Sequence, residues 1–183
     1  MISRGYNWKR FWCPRMGRMS LTDGGYLKDE NSLSDYVKIH LDEDLRQRGV
    51  VVNREVEIRR GQGSSRQGER TDIHVDAVVR GRGGDVYDSV MAIVEVKGCW
   101  NQELAQAMKT QLADRYLQDN RCQHGLYLVG WFNCDQWDNN GYRKSQAPKI
   151  STDEAQRQFD AQAAELSQHD LRIKAIILNT TLR

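Results

Sequence analysis

From Val90 to Lys97 the chain reads Val-Met-Ala-Ile-Val-Glu-Val-Lys, an apolar and largely β-branched run that sets a carboxylate and an ammonium two positions apart. Such a run favours a strand. Side chains alternate between the faces of a strand, so Glu95 and Lys97 share one side, about 6–7 Å apart along the backbone, with Val94 and Val96 on the other. Any fold that takes in this strand must accommodate two charges on an otherwise apolar sheet.

The preceding strand-like run, residues 72–79, groups Asp72, His74 and Asp76 on one face by the same rule. Arg80-Gly81-Arg82-Gly83-Gly84 joins the two runs and suits a hairpin, so the pair is predicted to be antiparallel, with the acidic face beside Glu95. Carboxylates at close range on an apolar sheet raise one another's pKa, and a divalent cation is the natural compensator. Mg²⁺, or Mn²⁺ in its place, is commonly held by one or two carboxylates together with water and substrate phosphate oxygens.

The remaining chain supplies one domain. Helical spacing begins at Ser32, with Leu33, Val37, Leu41 and Leu45 on one stripe and Gly49 as a stop. Residues 50–58 read as a strand and 59–68 as a polar loop. A helix over 102–118, carried by Leu104, Ala107, Met108, Leu112 and Tyr116, leads to a buried strand at 125–132. After a polar loop at 135–150, Ser151 and Glu154 form a capping box for a last helix, and residues 171–178 close the chain as a strand. The expected class is α/β, with an ordered arm over residues 1–31 and a single domain over 32–183.

Gly68-Glu69-Arg70-Thr71-Asp72-Ile73, a hairpin, and Ile93-Val94-Glu95-Val96-Lys97 together resemble the motif of the PD-(D/E)xK nuclease superfamily. The likeness covers roughly residues 32–133, and the element order is similar too. It implies a restriction-endonuclease-like αβββαβ core, a central mixed sheet flanked by helices, extended here by a C-terminal helix and strand. It also implies an Mg²⁺- or Mn²⁺-dependent deoxyribonuclease, in the endonuclease form. Asp72 and Glu95 would be metal ligands, the Val96 carbonyl would complete the shell, and Lys97 would be the catalytic lysine. The proline of the motif's name is absent, Arg70-Thr71 standing in its place.

Two further positions follow from the resemblance. Gln111-Leu112-x-x-Arg115-Tyr116 is similar to the Gln/Tyr motif of the RecB-like branch, with a spacing longer by one residue. Gln111 is accordingly expected at the site and Tyr116 in the core. Related nucleases use an acid on the first helix, and Asp44 is the choice here, because stepping by 100° per residue puts it with Val37 and Leu41 while Glu43 faces away.

The net charge of +2 does not by itself announce a nucleic-acid binder. Its distribution says more: Arg10 and Arg15 lie in an arm interleaved with Tyr6, Trp8, Phe11 and Trp12, and Arg66 and Arg70 sit in and beside the first loop. Such residues contact phosphates and stack on unpaired bases, so they read as a nucleic-acid-binding surface, and DNA as the partner is what the resemblance implies. The competing reading packs the aromatics onto the domain and leaves the charges solvated. Trp100 either lines a substrate groove or covers the sheet edge. The modest charge suggests help from a partner domain or ATPase, or from homo-oligomerisation. The rival function is a catalytically inactive nucleic-acid-binding or protein-interaction module of the same fold. Four scattered cysteines without a CxxC pair, and no long apolar segment or secretory leader, predict a soluble cytoplasmic protein without a structural zinc and without a membrane partner.

Overall fold

The computed structural model describes residues 22–23, 26–27, 29–45, 50–59, 69–80, 87–133, 137 and 142–180. Two short strands, β1 (Thr22–Asp23) and β2 (Tyr26–Leu27), pair antiparallel ahead of helix α1 (Glu30–Leu45). Three long strands follow, β3 (Val50–Arg59), β4 (Glu69–Arg80) and β5 (Tyr87–Gly98). The helix α2 (Met108–Leu117), strand β6 (His124–Trp131), helices α3 (Tyr142–Gln146) and α4 (Thr152–Leu166), and strand β7 (Arg172–Asn179) complete the chain. The class is α/β, built on an open mixed sheet.

The five long strands lie in the order β3-β4-β5-β6-β7. β3, β4 and β5 form an antiparallel meander, whereas β5, β6 and β7 run parallel. β5 is the strand at which the sheet changes direction, and it is buried on both faces from Ile93 onward.

Two glycines of β6 show how the helices cover the sheet. A Cβ at Gly130 would lie 2.6 Å from Leu33 of α1, and one at Gly125 would lie 2.8 Å from Leu117 and 3.3 Å from Leu112 of α2. Positions five apart on a strand face opposite sides, so α1 covers one face and α2 the other. The β5–β6 register sets Val96 beside Leu128 and Glu95 beside Tyr127. Val94 and Val96 therefore face α1, while Glu95 and Lys97 lie on the α2 side, where Phe159 of α4 also packs on Tyr127 at 5.7 Å.

Several elements differ from the sequence reading. α1 starts at Glu30 rather than Ser32, because the Asp29 carboxylate accepts hydrogen bonds from the Ser32 N–H and hydroxyl, both at 2.9 Å, and caps the helix one turn before the apolar stripe begins. The second helix is π-type over Met108–Leu117, preceded by turns at 102–106. Its buried residues, Met108, Leu112, Ala113, Tyr116 and Leu117, explain the choice. At 100° per residue they would span about 180°, whereas the wider π turn, roughly 4.4 residues, gathers them within about 115°. The polar stretch at 135–150 contains the short α3. At α4 the Ser151 hydroxyl accepts the Glu154 N–H at 3.2 Å, half of the expected capping box. No helix among the described residues is long and apolar enough to cross a membrane.

Candidate active site

The β4–β5 ladder ends at Ile73 with Val94. Beyond that pair the strands separate, and the Asp72 carboxylate accepts the Val96 N–H at 2.8 Å where a backbone carbonyl would otherwise serve. A residue in a strand points its N–H and C=O to the same edge, so the Val96 carbonyl is directed toward the gap that Asp72 occupies.

Glu95 and Lys97, on the same face of β5, form an ion pair of 2.6 Å. Both are buried, Glu95 to 2% and Lys97 to 8% exposure. The second carboxylate oxygen of Glu95, Oε2, is buried without a hydrogen-bond partner. Burial first, and then the neighbouring Asp72, push the Glu95 carboxyl up to about 8, against the opposing pull of Lys97. Asp72 is raised as well, chiefly by burial, although the Val96 hydrogen bond and Lys97 act the other way. Burial opposes the charge on Lys97, but Glu95, Asp72 and Glu30 together outweigh it and hold the ammonium above its ordinary value.

Glu30 is the acid that sequence reasoning missed. From the first turn of α1 its Oε1 accepts the Gly98 N–H at 2.9 Å and the Asn101 side-chain amide at 2.8 Å, and its charge acts on Asp72, Glu95 and Lys97 alike. The signal was present in Asp29-Glu30-Asn31-Ser32, where an N-cap residue precedes an acid in the first turn. Asp44, the acid expected from this helix, is exposed near its other end, 14 residues and about 21 Å along the axis from Glu30. It does not join the cluster, because sharing an angular stripe says nothing about distance along the axis.

Gln111 is half-buried, and its amide donates to Glu103 at 2.5 Å. Tyr116, expected in the core, is buried and also senses the cluster: burial, then Glu95 and Asp72, push its phenol up to about 12. The π geometry bears on the longer Gln/Tyr spacing. Residues five apart lie about 140° apart around an α-helix but about 50° apart around a π-helix, which brings Gln111 and Tyr116 toward one face.

Among the other expected residues, Trp100 is buried, packing on Phe132 at 5.2 Å and Trp137 at 6.0 Å, with the Arg143 guanidinium 5.2 Å from its ring centre. Gly98 permits this fold-back, since a Cβ there would lie 2.5 Å from the indole. His74, on the acidic face of β4, is buried with Nε2 3.5 Å from Asp76. Arg10, Arg15 and Arg66 lie outside the described residues, as does most of the expected arm over 1–31; Arg70 is described only as a position in β4.

No group of three or more His, Cys, Asp or Glu side chains among the described residues is arranged to hold a metal ion. Mg²⁺ does not require one, since a pair of carboxylates with water and substrate oxygens suffices. The unpartnered Glu95 Oε2, the adjacent Asp72 carboxylate and the inward edge at Val96 form an oxygen-only donor set that fits such a cation. Compared with protein-family models, curated proteins and solved structures, the chain matches none.

Proposed function

We propose that this chain is a metal-dependent nuclease of the PD-(D/E)xK type, hydrolysing phosphodiester bonds in DNA at the end of β5. The observation that carries the reading is the convergence of Asp72, Glu95 and Lys97 where β4 and β5 part. The α/β class and the order of the elements around that point are consistent with it. Asp72 and Glu95 would hold Mg²⁺ or Mn²⁺, with the Val96 carbonyl beside them. A bound cation supplies Lewis-acid activation and charge neutralisation at the phosphate. Lys97 would orient the attacking water or support the negative charge that develops on the phosphate oxygens.

Cleavage of supercoiled, linear and single-stranded DNA by the purified chain, with and without Mg²⁺ or Mn²⁺, tests this directly. Loss of cleavage in Glu95→Ala and Lys97→Ala is the expected result. Undiminished activity in either variant sinks the assignment.

One observation favours a second reading. Glu95 and Lys97 are closed on each other and almost fully buried, as in a structural ion pair. On that reading the chain is a catalytically silent nucleic-acid-binding or protein-interaction module. Its signature is DNA binding that persists while calorimetry detects no Mn²⁺ site dependent on Asp72.

A further inference from the structure

Beside the site, the start of α1, the turn after β5 and the short α3 enclose an open pocket of about 300 Å³. Glu30, Asn31, Trp100, Asn101, Tyr142 and Arg143 form its walls. The Arg143 guanidinium lies 5.2 Å from the Trp100 ring centre and 5.8 Å from that of Tyr142, giving an aromatic, cationic, aromatic series. Trp100 is buried at the base, whereas Tyr142 is 67% exposed. Core packing does not account for an aromatic ring left open in this way.

We infer that this pocket takes an unpaired nucleobase, stacked on Tyr142 and Arg143, and that the favoured substrate is accordingly single-stranded or locally unpaired DNA. The word substrate rests on the nuclease reading above; the binding does not. Four features of the pocket lead to this ligand.

Stacking surfaces of this composition hold splayed-out bases through their π faces, with arginine adding a cation–π contribution. The Asn31 and Asn101 amides add donors and acceptors of the kind that meet base edges. Charge argues against a phosphate as the occupant. Two carboxylates, Asp29 and Glu30, share the wall with a single guanidinium, and the two Ser32 hydrogen bonds, with a smaller contribution from Arg143, hold the Asp29 carboxyl below its ordinary range. A neutral heterocycle meets no such repulsion.

Position completes the case. Glu30 lines the pocket and at the same time anchors Gly98 and acts on Asp72, Glu95 and Lys97. The pocket and the candidate site are therefore joined through one residue, Glu30. In a duplex the base is paired and stacked, and reaching this pocket requires unpairing it.

The test uses the full chain in EDTA, with fluorescence anisotropy of a labelled oligothymidylate, a blunt duplex, and an oligothymidylate carrying one abasic position scanned along its length. Tyr142→Ala is expected to weaken single-strand binding about 5- to 150-fold, the range seen when one base–aromatic stack is removed, and Tyr142→Phe to retain it. At one register the abasic position should weaken the wild type but not Tyr142→Ala. Duplex binding should be weaker than single-strand binding and indifferent to residue 142. Equal single-strand binding by wild type and Tyr142→Ala overturns the inference. So does binding that depends on a 5′-phosphate rather than on bases. Cleavage in Mg²⁺ separates the two readings: absent cleavage with Tyr142-dependent binding overturns the nuclease reading alone, and cleavage of single strands unimpaired by Tyr142→Ala overturns the pocket alone.

Discussion

The Asp72 carboxylate accepts the Val96 N–H at 2.8 Å, just beyond the last paired residues of β4 and β5. One side chain thus does two things: it satisfies the backbone of a strand that has lost its neighbour, and it sets a carboxylate beside Glu95. The two roles are separable by substitution.

Asp72→Asn keeps an acceptor for Val96, and Asp72→Ala removes it. In metal-free urea denaturation, Asp72→Ala is expected to be less stable than Asp72→Asn by about 1–2 kcal/mol, the cost of a buried N–H left unpaired. Both should lose Mn²⁺ binding by calorimetry. An asparagine variant that still bound Mn²⁺ would confine Asp72 to the structural role.

Stability of the metal-free protein should depend on pH with a definite sign. The Glu95 carboxyl is raised from 4.5 to about 8 in the fold, and Asp72 shifts the same way. A group raised on folding contributes stability that is fully present below its unfolded value and is lost as pH rises through the folded value. Thermal melts should therefore show a decline between about pH 5 and pH 8 from this site, on the order of a few kcal/mol in total. Glu95→Gln should flatten that decline, and saturating Mn²⁺ should restore stability at the alkaline end.

Glu30→Gln retains an oxygen for Gly98 and Asn101 but removes a charge that raises both Asp72 and Glu95. The variant is expected to match or exceed the wild type in metal-free stability at pH 8. Its single-turnover DNA cleavage should fall about tenfold or more, corresponding to roughly 1.4 kcal/mol or more of lost stabilisation. Glu30→Ala, which also gives up both hydrogen bonds, should be less stable than Glu30→Gln.

Gly130→Ala reaches the site through packing. Its new Cβ would lie 2.6 Å from Leu33 and 2.7 Å from Phe132, so α1 or Phe132 must give way. Overpacking of this kind costs about 1–3 kcal/mol. Leu33 lies one turn from Glu30, so cleavage is expected to drop along with stability in chemical denaturation. Leu33→Ala in the same chain should recover part of the cleavage.

The parts of the site that were legible in the sequence are those fixed by local arithmetic. Two-residue alternation put Glu95 and Lys97 on one face, and the hairpin brought Asp72 to the same place. Glu30 escapes the apolar periodicity, which leads along the first helix to Asp44 and not to the cap at Asp29. The π-helix was also out of reach, since the spacing of Met108, Leu112 and Tyr116 satisfies an ordinary helix, and only Ala113 and Leu117 make the wider turn preferable. Tyr142 carried no periodic signal within its polar stretch, and its relation to Trp100 depends on the chain folding back over the end of β5.

Asp72, Glu95 and Lys97 all lie within one antiparallel meander, whereas the groups that cover them come from elsewhere, Glu30 from before it and α2 from after. Hairpin contacts are local in sequence and form early, while the parallel pairing of β6 and β7 with β5 is long-range and slow. The charged face is therefore expected to assemble while still in water and to be sealed only in the last stage of folding. Substitution of Glu95 should accordingly change the unfolding limb of a stopped-flow chevron more than the folding limb. The cluster then costs the native state its lifetime, without slowing the chain's arrival there.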